Sequence, residues 1–258
     1  MREVAGWVHD ADLSEPPPVM AQRLHRFLRE LTGIADPYLE AKQRDNALAL
    51  SLLPELRARV EKSDDPFRLL VRLAIAGNQI DLGPKSSMSA DEVVNSVRCV
   101  EEQAFEGDIE AFKRLAEHAS RILYIADNAG EIIVDRLLIE ALGPEKVTVA
   151  VRGMPIINDA LMADAQMAGL CEICKVVSNG SDIPGTIVDA CSAEFKALFD
   201  TADMIISKGQ GNFETLGDHP RAICFLFKVK CPVIAEKAGS KMGTQVLMLT
   251  NVERKECC

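Results

Sequence analysis

Up to about residue 117 the apolar positions recur at the spacing of one helical face. Leu24, Phe27, Leu28 and Leu31 fall at i, i+3, i+4 and i+7, and Ala49, Leu52, Leu53, Leu56 and Val60 repeat the pattern, with Pro54 marking a start or a kink. Asp65-Pro66 predicts a helix start, because proline is preorganised for the first helical position. Leu69, Leu70, Leu73 and Ala74 then face inward and Gly77 stops the helix. Ser89-Ala-Asp-Glu92 reads as a capping box launching a helix through about Phe105, and another helix runs from Asp108 with Ile109, Phe112, Leu115 and Ala116 apolar.

The period then changes. Short runs rich in β-formers alternate with helical stretches. Ile122 to Ala126 precedes a helix over Glu131 to Leu142, and Val147 to Val151 precedes one from about Asn158 to Ala168. Lys175 to Val177, Met204 to Ile206 and Cys231 to Ala235 continue as strand-like runs, and Ile223 to Val229 is ambiguous. Strands alternating with helices predict βαβ units and a mostly parallel sheet covered on both faces. The expectation is an α/β protein, a three-layer α/β/α sandwich over residues 118–258, beside an all-helical N-terminal subdomain over residues 1–117. Both sizes are ordinary for domains.

Composition narrows the partners. The 258 residues carry 29 Lys+Arg against 39 Asp+Glu, a net charge of −10. That balance argues against nucleic acid, whose phosphates select basic surfaces. It also calls for a metal or a local lysine if the ligand is an anion. The longest apolar run, Ala222 to Phe227, is too short to span a bilayer. The N-terminus lacks the charged-then-apolar pattern of a secretory leader. Eight cysteines are too sparse for a disulfide scaffold, and six lie in or beside apolar segments. The reading is a reduced, cytoplasmic protein without membrane partners. Cys171 and Cys174 have CxxC spacing but no second ligand pair, so they read as core residues before a strand. Cys257 and Cys258 read as a tail.

In an open α/β sheet the ligand sits beyond the carboxyl ends of the strands. The loops there hold Asp127, Asn128, Gly130 and Glu131; Arg152, Gly153, Asn158 and Asp159; Ser178, Asn179, Gly180, Asp182 and Gly185; and Lys208, Gly209, Gln210, Gly211, Asn212 and Glu214. Hard oxygen ligands suit a divalent cation. Glycine-rich turns into helices offer N–H groups to phosphate, and a lysine adds a point charge. Together they point to metal-assisted phosphate chemistry. Familiar alternatives fail: Gly209-Gln-Gly211 lacks the third glycine of a dinucleotide loop, and no P-loop or nucleophile elbow occurs. The four histidines show no ligand spacing.

Five segments in order, over roughly residues 65 to 250, resemble the damage-control phosphatase family, long called domain of unknown function number 89: Gly77-Asn-Gln-Ile-Asp81, Asp127-Asn-Ala-Gly-Glu131, Arg152-Gly-Met-Pro-Ile-Ile-Asn-Asp159, Ser178-Asn-Gly-Ser-Asp-Ile-Pro-Gly185 and Ile206-Ser-Lys-Gly-Gln-Gly-Asn-Phe-Glu214. The family also contains a proposed acidic-residue methyltransferase. The resemblance implies hydrolysis of small phosphomonoesters, typically sugar phosphates or damaged phosphometabolites, with Mn, Mg, Co or Ni as the divalent metal. It implies Asp127, Asn128 and Asp159 as metal ligands and Lys208 as a phosphate contact. Asn158, Gly209 and Asn212 would complete the cradle, and Asn78 and Asp81 would reach in from the helical part. Many prokaryotic relatives open with a cysteine pair, whereas this chain has no cysteine before Cys99.

Plainer roles compete. Asp127-Asn128 and Asn158-Asp159 could each be helix N-caps, which is compatible with ligation. Arg152 could bind phosphate or pair with a carboxylate, Glu214 is a further site candidate and Asp182 reads as a loop residue. Asp127 and Asp159 are metal ligands in the preferred reading, and a covalent nucleophile among them stays open. The function expected is metal-dependent phosphatase activity on a small phosphorylated metabolite. The alternatives are S-adenosylmethionine-dependent carboxyl methyl transfer, disfavoured by the lack of a glycine-rich loop after the first strand, and non-catalytic sugar-phosphate binding.

Overall fold

Asp65 accepts a hydrogen bond from the Arg68 N–H and Pro66 follows it, so the helix over Pro66–Gly77 starts where the sequence places it. In the computed structural model, which describes residues 15–80 and 90–251, this is α3, after α1 (Pro17–Thr32) and α2 (Leu39–Glu61). Pro54 lies inside α2 without ending it. Next come α4 (Ala90–Arg98), a short strand β1 (Phe105–Glu106) and α5 (Ile109–His118), capped by Asp108 onto the Ala111 N–H. The expected helix through Phe105 therefore ends early; Ser89, its expected cap, lies outside the described residues, as do Asp81, Cys257 and Cys258.

The α/β part follows as β2 (Ile122–Ile125), α6 (Glu131–Leu142), β3 (Val147–Val151), α7 (Met162–Met167), β4 (Lys175–Ser178), α8 (Ala193–Thr201), β5 (Met204–Lys208), α9 (Gln210–Leu216), β6 (Ile223–Lys228), α10 (Pro232–Ala238) and β7 (Gln245–Thr250). The ambiguous run at Ile223 is a strand. Cys231 to Ala235, expected as a strand, is helical from Pro232: proline fits the first turn of a helix but removes a ladder donor from a strand.

The seven strands lie in the order β1-β7-β6-β5-β2-β3-β4. Pairing is parallel from β6 to β4, with Ile122 opposite both Val147 and Met204, while β7 runs antiparallel to β6. Strand order reverses between β2 and β5, because β3 and β4 extend to one side of β2 and β5 to β7 to the other. That makes the β2/β5 boundary the switch point of a doubly wound sheet. The helical part is continuous with this sheet: β1 pairs with β7, and α2 and α3 pack on α6.

Alternation along the strands sorts two cores. Tyr124, Met204, Ile206, Cys224 and Leu226 join Leu73, Ile75, Ile133 and Leu137 on the face covered by α2, α3, α5 and α6. Leu123, Ile125, Ile205, Phe225 and Phe227 join Phe195, Phe199 and Phe213 on the face of α8 to α10, with Phe213 stacked on Phe227 at 4.6 Å between ring centres. Each buried aromatic or branched side chain contributes about 1.5–3 kcal/mol. The six described cysteines are free thiols. Cys191 and Cys224 are buried, but Cys171 is exposed and Cys174 half-buried, so the CxxC pair borders the core instead of filling it.

Candidate functional site

The backbone brings two loops together beyond β2 and β3. After β3 the chain turns at Ile157, whose φ of 42° is a left-handed conformation that a β-branched side chain resists. Such a residue costs about 1–3 kcal/mol and persists where its flanks are fixed. Here they are. The returning segment runs antiparallel to the loop after β2, the Ala129 N–H donating to Asn158 O at 2.9 Å and the Ala160 N–H to Asp127 O at 2.8 Å. Asp127, Asn128, Asn158 and Asp159 are thereby gathered at the switch point. Helix α7 starts only at Met162, so Asn158 and Asp159 do not cap it. Gly130, not Asp127 or Asn128, holds the position before α6, and no side chain caps that helix.

Glu131 joins this cluster to the core. Its Oε2 accepts from Asn78 Nδ2 at 2.8 Å and from the Asn128 N–H at 3.2 Å, and its Oε1 accepts from Lys208 Nζ at 2.7 Å. Asn78 Nδ2 also donates to Asp127 Oδ2 at 2.7 Å, and Asn128 Nδ2 donates to the same oxygen at 2.9 Å. Lys208 follows Met204 and Ile206 by strand alternation, which points it at α3 and α6. Its ammonium is fully buried and donates to Asp135 Oδ1 at 2.5 Å and Ala74 O at 2.8 Å as well as to Glu131. In this arrangement it is enclosed beneath the loops and not open to a ligand.

Arg152 is equally enclosed. Its Nε donates to Asp159 Oδ2 at 2.7 Å, its Nη1 to Thr186 Oγ1 at 3.1 Å and its Nη2 to Asn212 Oδ1 at 3.0 Å, so of its two possible roles the structure shows the carboxylate pair. Asn212 donates to Lys208 O and Ala126 O, tying the ends of β5 and β2. These two residues form the frame. Glu214 is held within α9 by Gln210 Nε2 at 2.9 Å. Asp182 takes four hydrogen bonds from Gln22, Arg26 and Arg29 and anchors α1.

Burial, then Glu131 and Asp159, push Asp127 up to about 8, and burial likewise raises Asp159 against the pull of Arg152. Burial lifts Asp135 to about 7 despite Lys208. For Lys208 burial acts downward, but Asp135 and Glu131 outweigh it and hold the ammonium charged. A carboxylate so placed is one that a bound cation would stabilise.

The donor set fits a hard divalent cation. Asp127 Oδ1, Asp159 Oδ1, Asn128 Oδ1 and Asn158 Oδ1 accept no hydrogen bond from any described residue, although all four residues are at most 9% exposed. Among the described residues no three His, Cys, Asp or Glu side chains form a metal-holding group, so the set depends on asparagine oxygens. The sequence alone assigns no role to Glu131, Asp135, Thr186 or Asn46. Asn46 Oδ1 accepts from the Gly130 N–H at 2.7 Å, and its Nδ2 holds Asp164 at 2.7 Å. Glu131 and Asp135 were detectable as an i, i+4 acidic pair on the face that meets Lys208.

The doubly wound α/β sheet gathers these oxygen donors at its switch point, where folds of this class hold small ligands. The family model for the damage-control phosphatase ARMT1-like domain matches residues 1–246, and the chain belongs to that family. It is 37% identical over 88% of its length to a damage-control phosphatase of Archaeoglobus fulgidus, covering 80% of that protein. It is 34% identical over 90% of its length to a damage-control phosphatase of Pyrococcus horikoshii, covering 81% of that protein. The crystal structure of a DUF89 family protein from P. horikoshii superposes with a TM-score of 0.85 at 33% identity, covering 95% of this chain and 87% of that one. No helix among the described residues is long and apolar enough to cross a membrane.

Proposed function

We propose that the protein is a divalent-metal-dependent phosphatase acting on small phosphomonoesters, sugar phosphates or damaged phosphometabolites. The observation that carries the reading is the cluster of open oxygens on Asp127, Asn128 and Asp159 at the β2/β5 switch point, in a chain whose relatives are damage-control phosphatases. Those three residues would hold the cation, which would supply positive charge and polarise the phosphoryl group. Asn158 and the turn at Gly209 border the place a phosphoryl group would take. Lys208 contributes its charge from beneath, through Glu131, and Asn78 engages Asp127 Oδ2, which leaves Oδ1 for the cation. Arg152 does the same for Asp159 by engaging Oδ2. No observation at the site favours methyl transfer or non-catalytic binding.

The test is turnover of a phosphomonoester panel with Mn²⁺, Mg²⁺, Co²⁺ or Ni²⁺, with and without EDTA, for the wild type and Asp127→Ala. Turnover that needs metal and disappears in the variant is expected. Turnover that survives both the chelator and the substitution overturns the reading.

A further inference from the structure

Four cationic side chains among the described residues are buried: Lys42, Arg72, Arg152 and Lys208. Lys42 pairs with Asp36, Arg152 with Asp159, and Lys208 with Glu131 and Asp135. Arg72 is the exception. It is 6% exposed and has no ion pair among the described residues. Its Nη2 donates to the carbonyls of Val100 and Gln103, its Nε is buried without an acceptor, and its Nη1 donates to no described residue. Burial, then the charge of Arg68, press its pKa downward, and Glu101 opposes them. A guanidinium held out of water without a carboxylate is costly, and a bound anion would offset that cost.

Arg72 lines a cavity of about 840 Å³ between the end of α2 and the start of α3, and Lys62 and Arg68 line it too. Arg68 stands one turn before Arg72 on α3. The two guanidinium groups lie over the Phe105 ring, 5.7 and 5.2 Å from its centre, which keeps two like charges side by side. The acids around the cavity are committed or exposed. Glu55 pairs with Arg98 and Glu101 with Arg59, Asp65 caps α3, and both Asp64 and Asp65 face water, which screens them. Lys62, Arg68 and Arg72 are left as three cations without an ion pair among the described residues.

Guanidinium groups match the oxygens of a phosphate group, and a lysine adds a point charge. The cavity is separate from the Asp127 cluster. That cluster meets the other end of α3, where Ala74 O accepts from Lys208 and Asn78 follows the last turn. Six helical residues, about 9 Å along the axis, lie between Arg72 and Asn78.

We propose that this cavity is an anion site distinct from the Asp127 cluster, where Arg72, Arg68 and Lys62 take a phosphate group, free or carried by a small metabolite. The site stands whether or not the Asp127 cluster is catalytic.

The test is calorimetric titration of the EDTA-treated full chain with inorganic phosphate and with glycerol 3-phosphate, in the wild type, Arg68→Gln, Arg68→Lys and Arg72→Lys. Without metal, the acids of the Asp127 cluster formally outnumber Arg152 and Lys208 and disfavour an anion there. One binding event is expected, weakened at least tenfold in Arg68→Gln and in Arg72→Lys and partly recovered in Arg68→Lys. The melting temperature of Arg68→Gln should match the wild type, because Arg68 is exposed, so this variant decides the matter if Arg72→Lys fails to fold. Tighter binding of the ester supports the site as one for a metabolite, and equal or weaker binding of the ester supports it as one for free phosphate. A wild type that binds neither ligand, or an Arg68→Gln variant that binds as the wild type does, overturns the proposal.

Discussion

Gly209 passes so close to Asp127 that a Cβ built on it would stand 1.9 Å from Oδ2. Its φ of 79° adds a backbone conformation that other residues resist. Gly209→Ala must therefore displace either the start of α9 or the Asp127 carboxylate. The expected outcome is at least a hundredfold loss of Mn²⁺-dependent turnover and weakened Mn²⁺ binding by calorimetry. Wild-type values for both would show that the two groups separate easily.

Burial, with Glu131 and Asp159 alongside, pushes the Asp127 carboxyl up to about 8 from the ordinary 3.8 of an exposed aspartate. An acid whose folded pKa is raised keeps a proton that the unfolded chain has lost, so its contribution to stability falls as pH rises from about 4 to about 8. Asp135, raised to about 7, acts in the same direction. EDTA-treated Asp127→Asn should melt above the wild type at pH 8.5, with the difference shrinking toward pH 4. Thermal melts across that range check it, and a variant less stable at pH 8.5 contradicts the assignment.

The same proton must leave when a cation binds. The apparent affinity for Mg²⁺ should rise roughly tenfold per pH unit below about 8 and level off above it. Calorimetry in two buffers of different ionisation enthalpy would count the released proton. A flat affinity between pH 6 and 8 would place the metal elsewhere.

Lys208 is the sole described side-chain cation bonded to Glu131 and Asp135. Lys208→Met leaves two buried acids uncompensated, a loss of about 3–5 kcal/mol. That corresponds to a melting temperature lower by roughly 10 °C for a chain of this size. Asp135→Asn should cost less than Lys208→Met, because Glu131 still balances the buried Lys208 charge. Denaturation midpoints for the two variants separate this from a generic core defect.

Asp182 is 2% exposed at its side chain and holds α1 through Arg26 and Arg29 at 2.6 and 2.7 Å. Burial pushes it upward, but hydrogen bonds from Arg26, Gln22 and Arg29 outweigh that and hold it at about 2. A depressed carboxyl stabilises above its unfolded pKa of 3.8 and loses that contribution as pH falls toward 2. Asp182→Ala should cost about 1–3 kcal/mol at pH 7 and flatten the acid limb between pH 4 and 2. Denaturant titrations at several pH values read both effects.

Local chemistry on the chain was enough for much of this. Periodicity located α3, α5 and α6 because a helical face or a capped proline start needs only neighbouring residues. Alternation and β-branched runs located β2 to β5 in the same way, and β6 as one of two options. Cys231 to Ala235 misled because an apolar run of that length is compatible with either state until its proline is weighed. Asp127, Asn128, Asn158 and Asp159 were visible as candidates because they follow strands.

The sequence by itself determined the α/β class, the strand-to-helix loops that carry the polar residues, and the family those motifs resemble. Tertiary structure decided how the candidates divide. Strand order, fixed by contacts between residues more than 75 positions apart, made β2 and β5 the switch point. The turn at Ile157 folded one loop onto the other. Burial enclosed Lys208 and Arg152 against carboxylates, a pairing that two cationic side chains in strand-end motifs cannot show along the chain. Charge compensation depends on what is close in space, and only folding sets those distances.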